Sequence, residues 1–103
     1  MLAIFQNLFG KTKKVKSLLE NGAIILDVRT PAEFQQGHVR GSINIPLDAV
    51  STQIEVLKQK GNPIVTCCRS GMRSGVAAGM LRNAGLEVIN GGSWQQVENA
   101  KNR

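Results

Sequence analysis

The chain has no tyrosine, one tryptophan, one histidine and only two cysteines, and these two are adjacent at Cys67 and Cys68. Adjacent cysteines exclude a useful long-range disulfide, so the thiols are catalytic or incidental, and the pattern fits a reducing cytosol. The lone histidine, His38, has no Cys, Asp or Glu at ligand spacing, which weighs against a metal site. No apolar run approaches the length a bilayer requires, so no membrane span is expected. The start, Met1-Leu2-Ala3-Ile4-Phe5, is apolar but is broken at once by Gln6 and Asn7. It lacks a basic flank and a small-residue cleavage site, so no signal peptide is expected. Acidic residues are few, 7 against 13 basic ones, for a net charge of +6. Such a balance raises nucleic-acid binding. Only Lys11, Lys13, Lys14 and Lys16 cluster, however, and no aromatic residue interleaves with them. A solvated helix face is the expected reading, with electrostatic attraction of anionic substrates or an acidic partner next. No nucleic-acid partner is expected.

What is present suits one modest core. The 103 residues are 42% hydrophobic, which leaves room for a single domain over 1–103 and no second one. A monomer is the default for that size. Residues 1–10 leave their structure open: Leu2, Ile4, Phe5, Leu8 and Phe9 fit a short amphipathic helix, and Leu2–Phe5 fits a strand. Packing onto the domain is their expected fate, with a membrane-surface or partner contact as the alternative. Thr12 to Asn21 reads as a helix, in which Val15, Leu18 and Leu19 recur at helical spacing and which Asn21-Gly22 closes. Ala23-Ile24-Ile25-Leu26 is a continuous apolar run, as a strand buried on both faces would be. Thr30-Pro31-Ala32-Glu33 forms a capping box with proline at the first helical position, opening a short helix that ends at Gly37. Ile43-Asn44-Ile45 reads as a short strand. Thr52-Gln53-Ile54-Glu55 reads as a second capping box, opening a helix that ends at Gly61 with Ile54, Leu57 and Val50 inward. Ile64-Val65-Thr66-Cys67 is the third strand, followed by a long helix ending at Gly85. Leu86-Glu87-Val88-Ile89 is the last strand, and Gly91-Gly92 turns into a terminal helix with Trp94 and Val97 on one face. Alternating strands and helices predict an open parallel sheet with helices on both faces. Sites in such sheets form beyond the carboxyl ends of the strands, where Asp27, Cys68 and Gly91 fall.

The most informative stretch is Cys67-Cys68-Arg69-Ser70-Gly71-Met72-Arg73-Ser74. A strand ends in a thiol, a tight polar loop follows, and a helix begins. Backbone N–H groups of such a loop bind anions, and the helix dipole adds positive potential. A thiol placed there loses its proton more easily, and the thiolate is the reactive form. Arg69 and Arg73 act in the same direction.

Residues 68–74 resemble the active-site loop of the rhodanese-like sulfurtransferases. Leu26-Asp27-Val28-Arg29-Thr30-Pro31-Ala32-Glu33-Phe34 resembles the first signature of that family, and Gly37-His38-Val39-Arg40-Gly41-Ser42-Ile43-Asn44-Ile45-Pro46 resembles the second. The three blocks occur in the family's order, and the resemblance runs from about Val15 to the C-terminus. It implies an α/β fold of three layers, α/β/α, with an open parallel sheet of four to five strands. It implies a sulfurtransferase in which Cys68 takes a sulfane sulfur from a small sulfur-containing anion such as thiosulfate, or from a persulfide donor protein. A Cys68 persulfide results, ringed by N–H groups of Arg69 to Ser74, and a thiol or cyanide acceptor removes the sulfur. No metal or organic cofactor is implied.

The adjacent cysteines leave a second reading. Counted from Cys67 the loop reads Cys-x5-Arg-Ser, the pattern of cysteine-dependent phosphatases and arsenate reductases. Three features favour Cys68: Gly71 three residues on, Thr66 rather than histidine before Cys67, and the flanking blocks. Strand alternation turns Cys67 into a core face, where it is a small hydrophobe unless it resolves a persulfide. Arg73 is expected to anchor the loop or to face the donor anion. Arg69 is either a substrate contact or a plain surface residue. Ser70 stands where relatives that prefer thiosulfate often carry a basic residue, which weighs against thiosulfate as the physiological donor. Ser74 is expected to cap the following helix rather than to donate to the thiolate. The Asp27 carboxylate is expected to hold the loop, Arg29 to pair with Glu33, His38 to pack in its loop, and Trp94 to pack in the core or at its rim. A non-catalytic binding module of the same fold is the remaining alternative, against which the intact Cys68 and Arg73 argue.

Overall fold

Apolar periodicity sets the first element. Val15, Leu18 and Leu19 lie on a helix, α1, that runs from Leu2 to Glu20 and packs on α5 (Trp94–Lys101). The computed structural model describes the backbone of residues 2–103 and the side chains of residues 10–103. The backbone over Leu2–Phe5 is helical, so the strand considered there does not form. How Leu2, Ile4, Phe5, Leu8 and Phe9 pack lies outside the described side chains. Gly22 (φ 85°) ends α1, with Ala23 N–H donating to Leu18 O at 3.0 Å.

Along the chain follow β1 (Ile24–Asp27), α2 (Pro31–Gln35), β2 (Ile43–Asn44), a 3-10 helix (Leu47–Gln53), α3 (Ile54–Lys60), β3 (Ile64–Cys68), α4 (Met72–Asn83), β4 (Val88–Ser93) and α5. Among the described residues the strands form one four-stranded parallel sheet in the order β2-β1-β3-β4. The apolar runs of β1 and β3 are central and buried on both faces, as parallel strands require. Alternation splits their side chains between two cores. Leu26, Ile64 and Cys68 join Val50, Leu57, Ala77 and Leu81 on one face. Ile25, Val65 and Cys67 join Val15, Val97 and Ala100 on the other.

Two elements differ from the sequence reading. Thr52 does not cap α3. It lies inside the 3-10 helix, where its hydroxyl donates to Ala49 O at 2.7 Å, and α3 starts at Ile54 behind Gln53 as N-cap, with no side-chain capping bond. The last strand starts at Val88 rather than Leu86 and runs on through Gly91-Gly92. Leu86 is taken up in closing α4: its N–H donates to Leu81 O at 3.1 Å, and Gly85 N–H to Arg82 O at 2.9 Å. At its far end β4 carries a bulge, with Thr66 opposite Asn90 but Cys68 opposite Ser93. Gly91 sits there because an added Cβ would lie 2.4 Å from Val97 Cγ2 and 2.8 Å from Thr66 O. Ser93 and Gln96 then form a capping box for α5, which the sequence reading did not pick out.

Candidate active site

The carboxyl ends of β1, β3 and β4 meet at one edge of the sheet, with Asp27 paired to Cys67 and Cys68 to Ser93. At that edge the chain leaves β3 through Arg69 and Ser70, turns at Gly71 and enters α4. Gly71 has φ 99°, a left-handed conformation that side chains resist. An added Cβ would also meet Gly92 Cα at 3.3 Å. The turn aims donors at one atom. Cys68 Sγ accepts from Gly71 N–H at 3.0 Å, from Ser74 N–H at 3.4 Å and from the Ser74 hydroxyl at 3.3 Å. Cys68 is buried at the floor of this loop. Burial pushes its thiol up, but hydrogen bonds from the Ser74 hydroxyl and from the N–H groups of Ser74, Gly71 and Ser70 outweigh that, so its pKa lies below the ordinary 9.0. The nearest donors, rather than Arg69 and Arg73, lead this effect.

Cys67 has the opposite setting. It is fully buried on the other face of the sheet, and burial, reinforced by the Asp27 charge, pushes its thiol up to about 12.

Arg73 anchors the loop. Its guanidinium makes a two-pronged ion pair with Glu33, at 2.7 and 3.0 Å. Glu33 is the capping-box residue of α2, so the same carboxylate accepts Thr30 N–H at 3.1 Å. Arg73 and Thr30 hold its carboxyl at about 2. Arg29 therefore does not pair with Glu33 as expected. Its carboxylate partner is Asp27 at 2.7 Å, in a fully buried site, because only two residues separate them at the strand end. Asp27 in turn does not hold the loop directly. Its carboxylate binds the N–H, Nε and Nη2 of Arg29. Arg29 then donates to Gly37 O at 2.7 Å and to Glu33 O at 3.2 Å, and lies over the Trp94 ring at 5.2 Å. Asp27 thus supports the wall of the site through Arg29.

Ser74 is not the helix cap. Gly71 occupies that position, and Ser74 lies three residues inside α4, fully buried, with its hydroxyl on Cys68 and on Asn90 Oδ1 at 2.7 Å. Thr66 Oγ1 donates to Ser74 O at 2.9 Å and ties this turn to β3. Ser70, Arg69 and Met72 are exposed around the loop. Arg69, Arg29, Glu33, Gly37 and Trp94 line a cleft of about 360 Å³. Within it Arg29 is neutralised by Asp27, and Glu33 by Arg73. Arg69 is left, among the described residues of the cleft, as the cation without a carboxylate partner. His38 packs in its loop, stacked on Phe34 at 3.7 Å. Among the described residues no group of His, Cys, Asp and Glu could hold a metal ion. No helix there is long and apolar enough to cross a membrane. Asn90 carried no signal in the sequence, since only the β3–β4 register brings it to the loop.

Residues 11–100 match the Rhodanese-like domain family. The chain belongs to that family. This rhodanese-like domain is 36% identical over 74 residues to the thiosulfate sulfurtransferase PspE of Escherichia coli K12, covering 70% of this chain and 71% of the relative. It is 34% identical over 73 residues to a tRNA sulfurtransferase of Thermoplasma acidophilum, covering 70% of this chain but only 14% of that protein. The solved structure of a rhodanese with anions from E. coli superposes with a TM-score of 0.66 at 35% identity, over 73% of this chain and 91% of that one. The fold is the expected α/β/α rhodanese-like one, and named relatives are sulfurtransferases.

Proposed function

We propose that this rhodanese-like domain is a sulfurtransferase that carries a sulfane sulfur on Cys68. The observation that carries the reading is the ring of donors on Cys68 Sγ, from Gly71 N–H, Ser74 N–H and the Ser74 hydroxyl. The two N–H donors, fixed by the backbone before reaction, stabilise a sulfur anion without reorganising, so no general base is required. The Cys68 thiolate attacks the outer sulfur of the donor. With thiosulfate, the new S–S bond forms as the old one breaks, and sulfite leaves with its electron pair. With a persulfide donor protein, the leaving group is that protein's thiolate. The Cys68 persulfide then meets a thiol or cyanide acceptor, which attacks the terminal sulfur. The Cys68–sulfur bond breaks, the pair returns to Cys68 as thiolate, and the product is a persulfide or thiocyanate. This is covalent catalysis in two half-reactions. Arg69, the unpaired cation at the cleft, is the contact for an anionic donor. Arg73, tied to Glu33, holds the loop. The scheme uses no metal or organic cofactor, and it suits a monomer in a reducing compartment.

A phosphatase working through Cys67 is disfavoured by that thiol's full burial and by its pKa of about 12. Intact-protein mass after incubation with thiosulfate, for wild type, Cys67→Ser and Cys68→Ser, tests the reading. A gain of one sulfur that survives in Cys67→Ser and vanishes in Cys68→Ser is expected. Absence of any gain with both thiosulfate and a protein persulfide overturns it and leaves the binding-module reading.

A further inference from the structure

One side chain outside the loop touches the Gly71 turn, the first turn of α4 and the β4 bulge beside the sulfur. Asn90, on β4, donates from Nδ2 to Gly71 O at 2.9 Å. Its Oδ1 accepts Gly92 N–H at 3.0 Å and lies 2.7 Å from Ser74 Oγ. An amide oxygen cannot donate, so at that distance the Ser74 hydrogen points to Asn90. Ser74 Oγ then offers Cys68 Sγ, 3.3 Å away, only a lone pair. That suits an S–H or an uncharged sulfur and opposes a thiolate. The hydroxyl has one hydrogen and three acceptors in reach; Gly92 O, at 3.5 Å, is the farthest, and the charge on sulfur decides between Asn90 Oδ1 and Cys68 Sγ.

We infer that Asn90 is a positioning residue for Cys68, whose carbonyl competes with the thiolate for the Ser74 hydrogen. While the sulfur is a thiol or a persulfide, Asn90 holds the hydrogen. When the thiolate is uncovered, the hydroxyl turns to Sγ, and Asn90 Oδ1 keeps Gly92 N–H as its donor. The hydrogen bond is therefore strongest when Cys68 attacks or leaves and is withdrawn while it carries sulfur. The register supports this as a built contact: Thr66 pairs with Asn90, and the bulge that follows brings Gly92 N–H onto the same amide. Among the described residues no buried side-chain nitrogen or oxygen lacks a partner, so the network is closed.

The inference rests on Cys68 being the reacting thiol, but its test reads that thiol directly and uses no sulfur donor. A failure here is thus distinct from a failure to load sulfur. The pH dependence of Cys68 alkylation by iodoacetamide, followed by mass, is compared in Asn90→Asp and Asn90→Leu, each with Ser74 and with Ser74→Ala. Both Asn90 variants lose the donor to Gly71 O and differ in acceptor strength. With Ser74 present, the midpoint of Asn90→Asp is expected at least about one pH unit above that of Asn90→Leu, a roughly tenfold slower reaction below both midpoints. With Ser74→Ala the gap shrinks to half or less. A gap of equal size in both backgrounds, or none, overturns the inference. Wild-type protein supplies a second readout. The Asn90 side-chain amide resonance is expected to titrate with Cys68, and to stay at its low-pH position when Cys68 is capped as a methyl disulfide. An amide indifferent to the charge on sulfur is the contrary result.

Discussion

Cys67 and Cys68 are neighbours in one strand, and the strand's alternation sends one thiol into an apolar core and the other to a ring of donors. Their proton affinities move in opposite directions for that reason. The folded Cys67 thiol sits at about 12 against an ordinary 9.0. Between those values the unfolded chain has lost a proton that the folded chain keeps, so stability falls as pH rises through that window. Below pH 9 the contribution is fully present. The slope is about 1.4 kcal/mol per pH unit. Cys68, with its pKa lowered, acts the other way: its stabilising contribution grows as pH rises towards 9.0 and is constant above it, leaving the alkaline window to Cys67. Urea unfolding at pH 9 and pH 11 is expected to show a loss of stability smaller by about 2–3 kcal/mol in Cys67→Ala than in wild type. Identical losses in the two proteins would show that Cys67 is not held neutral. The loop's geometry was foreshadowed by Gly71, whose left-handed turn the structure shows. The role of Ser74 was not, because a serine near a helix start reads as a cap until the turn places Gly71 there instead.

Helix α2 is five residues long, and its function lies in its ends. Glu33 closes the capping box with Thr30 and also grips Arg73, so the start of α2 and the start of α4 share one carboxylate. Glu33→Gln can keep the box but loses the charged pair. The expected cost to stability is under about 1 kcal/mol, since the pair is partly exposed. The cost to sulfur transfer is larger, about 10- to 100-fold in kcat/KM, because the loop is released. Equal kcat/KM in variant and wild type would remove the anchoring role from this pair. The Glu33 carboxyl at about 2 also means that its stabilising contribution is present above the ordinary 4.5 and is lost as pH falls towards 2. At the β4–α5 junction, Gly91→Ala forces a methyl group against Val97, Thr66 O and Val65. A loss of about 1–3 kcal/mol in denaturant unfolding is expected, with Gly79→Ala, where a Cβ meets nothing within 4 Å, as the tolerated control. Matching stabilities for the two variants would contradict the close approach at the bulge.

The radius of gyration, 12.8 Å, is that of one compact domain of about 100 residues, and we read residues 1–103 as one unit. The chain carries a net charge of +6, which favours the anionic donor proposed above. Long-range attraction then aids the encounter with a charged donor and is screened by salt. Reaction of Cys68 with thiosulfate is expected to slow severalfold between about 10 mM and about 500 mM salt, while alkylation by uncharged iodoacetamide stays constant. A salt effect of the same size on both reagents would place its origin in the thiol rather than in the encounter.

Local order was readable over most of the chain, the starts of α3, α4 and β4 excepted. Apolar runs, the Thr30–Glu33 capping box and glycines at turns determined an alternating α/β chain with Cys68 at the end of the third strand. These signals are local, because a strand's burial, a helix start and a left-handed turn each depend on residues within a few positions of one another. Partner choice across the sheet was decided by tertiary structure alone. Whether Arg73 faces solvent or Glu33, and whether Asn90 reaches the loop, depend on how the strands and helices pack and on a one-residue bulge. Those distances are set by the packing of the two cores, which brings together charges and amides that lie 16 to 40 positions apart along the chain.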